Sequence, residues 1–275
     1  MTAQPAPAIT PDHIQIPTPP SLLLDLERLL DADNVNLQSV AAVIAKDAGI
    51  TAQIFRALTT PAYGLKKAPD SLGKAVSILG MKTLHDLVKG LCLRQALSGN
   101  GLQLEPFWER SAEVACLASN IAWAQRTVVN VLPEHAHLVG LFHDCGIPVL
   151  AMRTTDYCKA FCKGGSRAWP DVRKEDQKFS TDHTVVGYLV AKHWKLPEYV
   201  CQAVRHHHEI VEAEHKAATL VAILQMAIHI HNRHSGQDDG EWQEIETRVL
   251  DELGIHPDGL REFEEDIIER CQQQA

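Results

Sequence analysis

The chain has 275 residues, a formal net charge of −9 and a composition that is 45% hydrophobic but only 5% aromatic. An acidic balance without a long basic run argues against a nucleic-acid partner, and no stretch reaches the roughly 18 apolar residues of a membrane span. Seven cysteines without a C-x-x-C pair, and the lack of a secretory leader, predict reduced thiols in a cytoplasmic protein that does not contact a membrane.

The first third of the chain reads as a tail followed by short helices. Residues 1–14 are rich in proline, which predicts an extended N-terminal tail. Apolar residues then recur at helical spacing, interrupted by Gly, Pro and Asp. The predicted helices cover 22–30, 37–47, 50–60, 71–80 and 81–97. The stretch 98–106 combines two glycines, a proline and polar residues, and is the clearest internal boundary.

The rest of the chain continues the helical pattern. We predict helices at 107–128, 133–145, 183–194, 196–210 and 216–234, and a final pair at 241–253 and 257–273. Gly146 and Pro148 predict that the second of these helices stops, and residues 163–182 are charged and interrupted by glycine and proline. No segment alternates as a β-strand does, so the sequence predicts an all-α protein.

Fifteen histidines are present, and some of them fall at the ends of predicted helices. His143-Asp144 ends one helix, His183 opens another, and a run of three histidines, 206–208, closes the next. Imidazole and carboxylate are suitable ligands for divalent iron, manganese, nickel or zinc. The alternative is that these histidines are structural or solvated, with the run at 206–208 as an exposed helix end.

Several segments together resemble one known family. IPTPPSLLLDLERLL, SLGKAVSILGMKTLHDLV, LFHDCG and DHTVVGYLVAKHWKLPEYVCQAVRHHHE occur in this order. Their order and spacing resemble the HD superfamily of metal-dependent phosphohydrolases, and most closely its HDOD branch (HD-related output domains) in bacterial signalling proteins. The resemblance covers 15–235. It implies two packed helical subdomains, 15–100 and 105–235, the second an HD-like bundle, and leaves 236–275 as a helical extension.

The resemblance also implies a set of metal ligands. His143 and Asp144 match the HD pair, His183 matches an added histidine, and His207 and His208 match an added histidine pair. Asp144 would have a catalytic role only if the protein is an active enzyme.

Two expected ligands are missing. Arg110 stands where the first histidine of the family is expected, and Ile228 stands near the place of the last aspartate, with His229 beside it. Arginine stays protonated and isoleucine has no donor atom, so neither can bind a metal. His229 could turn inward as a substitute ligand. Arg110 could pair with Asp144 in place of a metal bridge, or it could point to solvent.

The incomplete ligand set favours a non-catalytic output or adaptor module that has no cofactor. Such a module would act through signalling proteins or through a small nucleotide in the degenerate pocket. The alternative is a metal-dependent phosphohydrolase, a phosphodiesterase that acts on a nucleotide or cyclic dinucleotide and holds Fe, Mn, Ni or Zn. A third possibility is a helical scaffold with a relict pocket. Fold-level analogy alone does not establish activity.

Overall fold

The structure is a computed structural model, and it describes residues 16–32, 35–59, 65, 69–98, 104–153, 157, 170–209, 217–237 and 239–273. The predicted tail 1–14, most of the predicted boundary at 98–106, and two of the cysteines, Cys158 and Cys162, lie outside these residues. Within them the regular structure is helical and contains no strand, which confirms the all-α fold class.

The N-terminal half begins with four helices. They are α1 (Ser21–Leu30), α2 (Leu37–Ile44), α3 (Ala48–Leu58) and α4 (Leu72–Ser98). The next four helices are α5 (Glu105–Ala124), α6 (Pro133–Phe142), α7 (Gly146–Arg153) and α8 (Val172–Phe179). The chain ends with α9 (His183–His193), α10 (Glu198–His206), α11 (Ala218–His234), α12 (Trp242–Leu253) and α13 (Leu260–Gln272).

Asparagine and aspartate side chains start several of these helices. Asn36, Asp47, Asp171 and Asp182 each accept a hydrogen bond from a backbone N–H in the first turn of α2, α3, α8 and α9, respectively. Such caps satisfy N–H groups that have no partner inside the helix. The cap at Asp182 bears on function because it fixes the start of α9, where His183 is the first residue.

Helix α4 is two helices joined at a kink, as the sequence predicts. Gly80 has φ 76° and ψ 160°, a backbone conformation that is essentially restricted to glycine. The predicted break between residues 80 and 81 is therefore confirmed. The kink separates a short helix from the longer segment that carries the buried residues Leu84, Val88 and Leu93.

Two of the helices were not predicted from the sequence. Helix α7 begins at Gly146, where the sequence predicts that a helix stops, and α8 lies inside the charged segment 163–182. Gly146 is required by packing, because a Cβ atom there would lie 2.1 Å from the carbonyl oxygen of His183 and 2.6 Å from the nitrogen of Gly187. The glycine lets α7 and α9 approach closely enough to bring Asp144 beside His183.

The helices pack around one continuous apolar core. Helices α1, α2 and α3 pack on α4, which contacts the second half through α6 and α7. In that half α5 packs on α6 and α11, and α9 packs on α7 and α10. Near the end of the chain α12 packs on α11, and α13 packs on α5. Along the described stretches, no helix is both long and apolar enough to cross a lipid bilayer.

Candidate functional site

Five histidine and aspartate side chains from three parts of the fold meet in the second half of the chain. His143 caps the C-terminus of α6, and Asp144 follows it in the turn before α7. His183 opens α9, while His207 caps α10 and His208 follows it. All except His208 are buried, and His208 is half-buried. The structure brings together every matching residue that the family resemblance singles out.

Four of these side chains form a compact set, which we call the His-Asp cluster: Asp144, His183, His207 and His208. Each offers one ligand atom, and the four atoms lie within 4.8 Å of one another. Asp144 Oδ1 is 3.2 Å from His207 Nε2 and 3.3 Å from His183 Nε2. His143 adjoins the cluster, with its Nε2 atom 3.1 Å from Asp144 Oδ2.

Oxygen acceptors hold the outer nitrogen of each ring. Nδ1 of His183 is 2.5 Å from Glu175 Oε2, and Nδ1 of His208 is 2.6 Å from Glu241 Oε2. The Nδ1 atoms of His143 and His207 are each 2.8 Å from a backbone carbonyl, those of Gly140 and Val204. We therefore assign the Nδ1 proton to each ring, which leaves the Nε2 atoms free to accept. Metal-ligating histidines are oriented by the same kind of outer partner.

This arrangement directs lone pairs at one another. Nε2 of His183 lies 3.1 Å from Nε2 of His208, and Nε2 of His207 faces the Asp144 carboxylate. With the outer protons assigned as above, neutral rings present only acceptors to each other and to the carboxylate. Either additional protons or a cation must lie between them, so the donor set fits a divalent metal ion.

Electrostatics identifies where a proton resides when no cation is bound. Burial opposes the charge on Asp144, but the surrounding imidazoles of His143, His183 and His207 hold its pKa well below the ordinary value. Burial also disfavours protonated His183, yet Asp144 and Glu175 raise its pKa to about 10. Burial and the charge of His208 place the pKa of His207 well below its ordinary value. Without a metal ion, His183 is therefore protonated on both ring nitrogens and positively charged, whereas His207 is neutral.

Arg110 lies at the wall of the site and does not point to solvent. It is only 6% exposed, and its Nη1 donates to Asn232 Oδ1 at 2.9 Å and to Gln237 Oε1 at 3.4 Å. Burial lowers the pKa of the guanidinium, while the negative charges of Asp144 and Asp239 raise it. The solvent-facing alternative for Arg110 is wrong, because hydrogen bonds to α11 and to the segment after it hold the side chain inside.

His229 does not turn toward the His-Asp cluster. Its Nδ1 is 2.6 Å from Asp239 Oδ2 and its Nε2 is 3.0 Å from Glu264 Oε1, so both nitrogens are engaged elsewhere. The ring also stacks on Trp242 at 3.8 Å. The idea that His229 replaces the missing ligand is therefore wrong, and its neighbour Ile228 lines the site instead.

Sequence reasoning missed the carboxylates that orient the histidines. Glu175 is fully buried on α8, where it binds both the ring and the backbone N–H of His183. Glu241 lies in the polar segment before α12. Both residues fall in charged stretches that look like solvent-exposed loops, and no spacing relates them to the histidines. Only the Asp171 cap of α8 could have indicated a helix there.

A cavity of about 460 Å³ opens over the cluster. Its inner wall includes Arg110, Asp144, His207, His208 and Ile228. Its lining also includes charged residues with opposite partners nearby: Arg173 near Glu244, Lys174 near Asp171 and Arg205 near Glu209. The cavity can accommodate a small molecule that meets the cluster and Arg110 together.

Comparison with known proteins identifies the family. Residues 16–210 match the HDOD domain. The chain belongs to the HDOD family. An uncharacterised protein of Treponema pallidum (strain Nichols) is 23% identical to this HDOD chain over 216 residues, which are 77% of this chain and 41% of that protein. The chain thus spans less than half the length of this curated relative.

Solved structures share the fold. A candidate metal-dependent phosphohydrolase from Shewanella amazonensis SB2B has a TM-score of 0.72 at 16% identity, with 96% of this chain and 93% of that chain covered. A candidate signal transduction protein from Marinobacter aquaeolei VT8 has a TM-score of 0.69 at 20% identity, with 96% of this chain and 59% of that chain covered. An HDOD domain protein from Geobacter sulfurreducens has a TM-score of 0.57 at 20% identity, with 87% of this chain and 92% of that chain covered. At these identities the likeness shows the HDOD fold alone.

Proposed function

We propose that this HDOD chain is a signal-transduction module that holds a divalent metal ion in the His-Asp cluster. In this proposal the cavity above the ion binds a small phosphate-bearing ligand, such as a nucleotide, without hydrolysing it. The bound state is then read by partner signalling proteins. The proposal departs from the expectation of no cofactor, because the facing lone pairs of the cluster favour the metal-bound alternative.

Three histidines and one carboxylate constitute the ligand set of the proposed ion. Asp144, His183, His207 and His208 would hold the ion, and Glu175 and Glu241 would keep two of the rings in place. This nitrogen-rich set suits iron, manganese, nickel or zinc better than magnesium or calcium. A divalent ion there would supply a Lewis acid that attracts phosphate oxygens and lowers the pKa of bound water towards about 7.

One observation carries the non-hydrolytic part of the proposal. Arg110 and Ile228 line the cavity beside an otherwise complete cluster, at two positions where the family resemblance implies metal ligands. The guanidinium remains cationic, so it repels a second metal ion while it can hydrogen-bond phosphate oxygens. Arg110 thus favours binding of an anion over two-metal hydrolysis.

The second candidate function is metal-dependent phosphohydrolysis. Its supporting observation is the cluster itself, because Asp144 converges with three ring nitrogens, and Asp144, His207 and His208 line an open cavity. One metal ion with an open coordination position can be sufficient to generate a nucleophile. The two functions differ in whether a bound phosphate ester is turned over.

A paired binding and hydrolysis assay separates these functions. The chain, loaded with Mn²⁺, Fe²⁺, Ni²⁺ or Zn²⁺, is titrated calorimetrically with nucleoside phosphates and with linear and cyclic dinucleotides, and the mixtures are then analysed for products. We expect saturable binding that is weakened in Arg110→Ala, and no products. Turnover that is lost in Asp144→Asn but retained in His206→Ala would establish the phosphohydrolase instead.

A further inference from the structure

Two cysteines that do not belong to the His-Asp cluster lie close together where α5 and α13 pack. Cys116 lies on α5 and Cys271 near the end of α13, a helix that packs on α5. The Nδ2 atom of Asn120 is 3.6 Å from Cys116 Sγ and 3.2 Å from Cys271 Sγ. One amide nitrogen therefore contacts both sulfurs, which places the two thiols on the same side of the α5–α13 interface.

Exposure separates these two thiols from the other described cysteines. Cys116 and Cys271 are half-buried, while Cys92, Cys145 and Cys201 are buried. Burial raises the pKa of the Cys92 thiol to about 12 and that of Cys201 to about 11, and it also raises the pKa of Cys145. Buried thiols with raised pKa values are poor nucleophiles, so oxidants react with them slowly.

Hydrogen bonds favour the thiolate of Cys116. The thiol of Cys271 and the amide of Asn120 both donate to Cys116 Sγ, and these contacts lower the pKa of Cys116 although burial opposes them. The hydrogen bond with Cys116, together with burial, raises the pKa of Cys271. A half-buried thiol whose pKa is lowered, next to a second half-buried thiol that contacts the same amide, has the chemistry of an attacking and a resolving cysteine.

We propose that Cys116 and Cys271 form a reversible disulfide in response to a peroxide. The Cys116 thiolate attacks a peroxide oxygen of hydrogen peroxide, the O–O bond breaks, and the departing hydroxide takes up a proton to become water. The Cys271 thiol then displaces the hydroxyl group from the Cys116 sulfenic acid, and a second water molecule leaves. In sum two thiols are oxidised to one disulfide and one hydrogen peroxide is reduced to two waters.

The disulfide joins the C-terminal extension to the HDOD fold. The HDOD match ends at residue 210, whereas Cys271 lies on the last helix. Other contacts already hold this helix: Arg270 lies over the Trp123 ring at 4.9 Å, and Glu264 binds His229 and Arg233. A covalent bond at Cys271 adds a contact that does not separate when α13 frays. The inference is independent of the proposed function.

Peptide mapping after controlled oxidation tests the pair. The intact, fully reduced chain is treated with stoichiometric hydrogen peroxide, alkylated, digested without reductant and analysed by mass spectrometry. We expect a Cys116–Cys271 cross-linked peptide that disappears on reduction and is absent from Cys116→Ser and Cys271→Ser. Cys201→Ser is the matched control, because serine can keep the hydrogen bond from Cys201 to Leu196 O, and it should form the cross-link as the wild type does.

A second measurement compares the oxidised and reduced forms of the wild type, so its result does not depend on how a substitution affects folding. Hydrogen–deuterium exchange of residues 260–272 should slow in the oxidised wild type relative to the reduced wild type, and should not respond to peroxide in Cys271→Ser. If Cys116 and Cys271 are recovered as separate alkylated peptides, or if each pairs with a different cysteine, the proposal is wrong. The same holds if Cys116 is no more reactive than buried Cys92.

Discussion

Arg110 has its guanidinium inside the protein, where an unpaired charge would be expensive. Hydrogen bonds to Asn232 and Gln237 and the nearby charges of Asp144 and Asp239 hold it there. The same residue therefore joins α5 to the end of α11 and presents a cation to the cavity. Its direct pairing with Asp144, one of the two alternatives that the sequence leaves open, stays a prediction.

Arg110→Ala should destabilise the protein by about 1–3 kcal/mol, because Asn232 loses its buried donor and the charge of Asp144 loses a compensating cation. Urea unfolding followed by circular dichroism measures the change. Arg28→Ala is the control, since the Arg28 side chain is 77% exposed and its loss should change stability by less than about 0.5 kcal/mol. Equal unfolding midpoints for Arg110→Ala and wild type would contradict this role.

His229 makes stability depend on pH. Burial would lower its pKa, but the carboxylates of Asp239 and Glu264 raise it above the ordinary value. Arg233 pairs with the same Glu264 carboxylate. A raised pKa in the folded state means that folding favours the protonated ring. Its contribution is complete below the unfolded pKa of about 6.5 and declines as pH rises through the folded pKa.

The stability difference between wild type and His229→Gln should therefore be largest near pH 6 and should shrink by pH 9. Unfolding in urea at a series of pH values measures it, with His256→Gln as control because the His256 side chain is 78% exposed. A difference that stays constant across this range would show that the stacking of His229 on Trp242, and not its charge, stabilises the fold.

Helix α7 and helix α9 cross at a contact that only glycine permits. A Cβ atom on Gly146 would overlap the backbone of His183 and Gly187, and backbone atoms cannot move aside as flexible side chains can. This crossing fixes the distance between the Asp144 turn and the first residue of α9. The geometry of the cluster therefore depends on the packing of two helices as much as on the ligands.

Gly146→Ala should destabilise the chain by about 1–3 kcal/mol and weaken metal binding, because α7 and α9 must separate. Gly73→Ala is the matched control: its added Cβ has no neighbour within 4 Å, and alanine favours a helix, so it should stabilise by up to about 1 kcal/mol. Thermal unfolding and a metal titration give the two readouts. An unchanged metal affinity in Gly146→Ala would show that the crossing does not position the cluster.

At the scale of elements, the sequence allowed most helices to be predicted but not α7 or α8. Apolar spacing and the break at Gly80 are local signals, and the structure agrees with them. Gly146 is required by tertiary packing but looks like a local helix stop, and α8 has a charged sequence.

The same distinction holds for the site. The order of the motifs and the family resemblance were enough to name the site residues His143, Asp144, His183, His207 and His208. Glu175 and Glu241 acquire a role only when α8 and α12 pack near the histidines, so the sequence alone does not indicate them.

At the scale of the whole molecule, residues beyond the HDOD match contribute to the candidate site. Residues Ile245, Val249, Leu253 and Ile267 of α12 and α13 are buried in the common core. Glu241, just before α12, accepts a hydrogen bond from His208, so a segment beyond the HDOD match orients one proposed ligand. Residues inside the HDOD match and residues beyond it thus form the pocket together. The boundaries at 15–100, 105–235 and 236–275 stay predictions.

Glu241→Ala should lower the metal affinity of the cluster by about 10–100-fold, because His208 loses the acceptor that fixes its tautomer. Glu244→Ala is the control, since Glu244 also lines the cavity but lies near Arg173 on the rim. Competition titration with a chromophoric chelator gives both affinities. Equal metal affinities for Glu241→Ala and Glu244→Ala would show that Glu241 does not help the cluster to bind the metal.

The metal content of the chain tests the central claim most directly. Protein prepared without chelator or His-tag is offered iron, manganese, nickel and zinc, dialysed, and analysed for bound metal. Near-stoichiometric metal in the wild type and in His206→Ala, and its loss in Asp144→Asn and His207→Ala, is the predicted result. His206 is the sharpest control because it belongs to the same histidine run but binds Glu209. A wild-type chain that retains no metal would contradict the account and leave the His-Asp cluster as a proton-bound structural element.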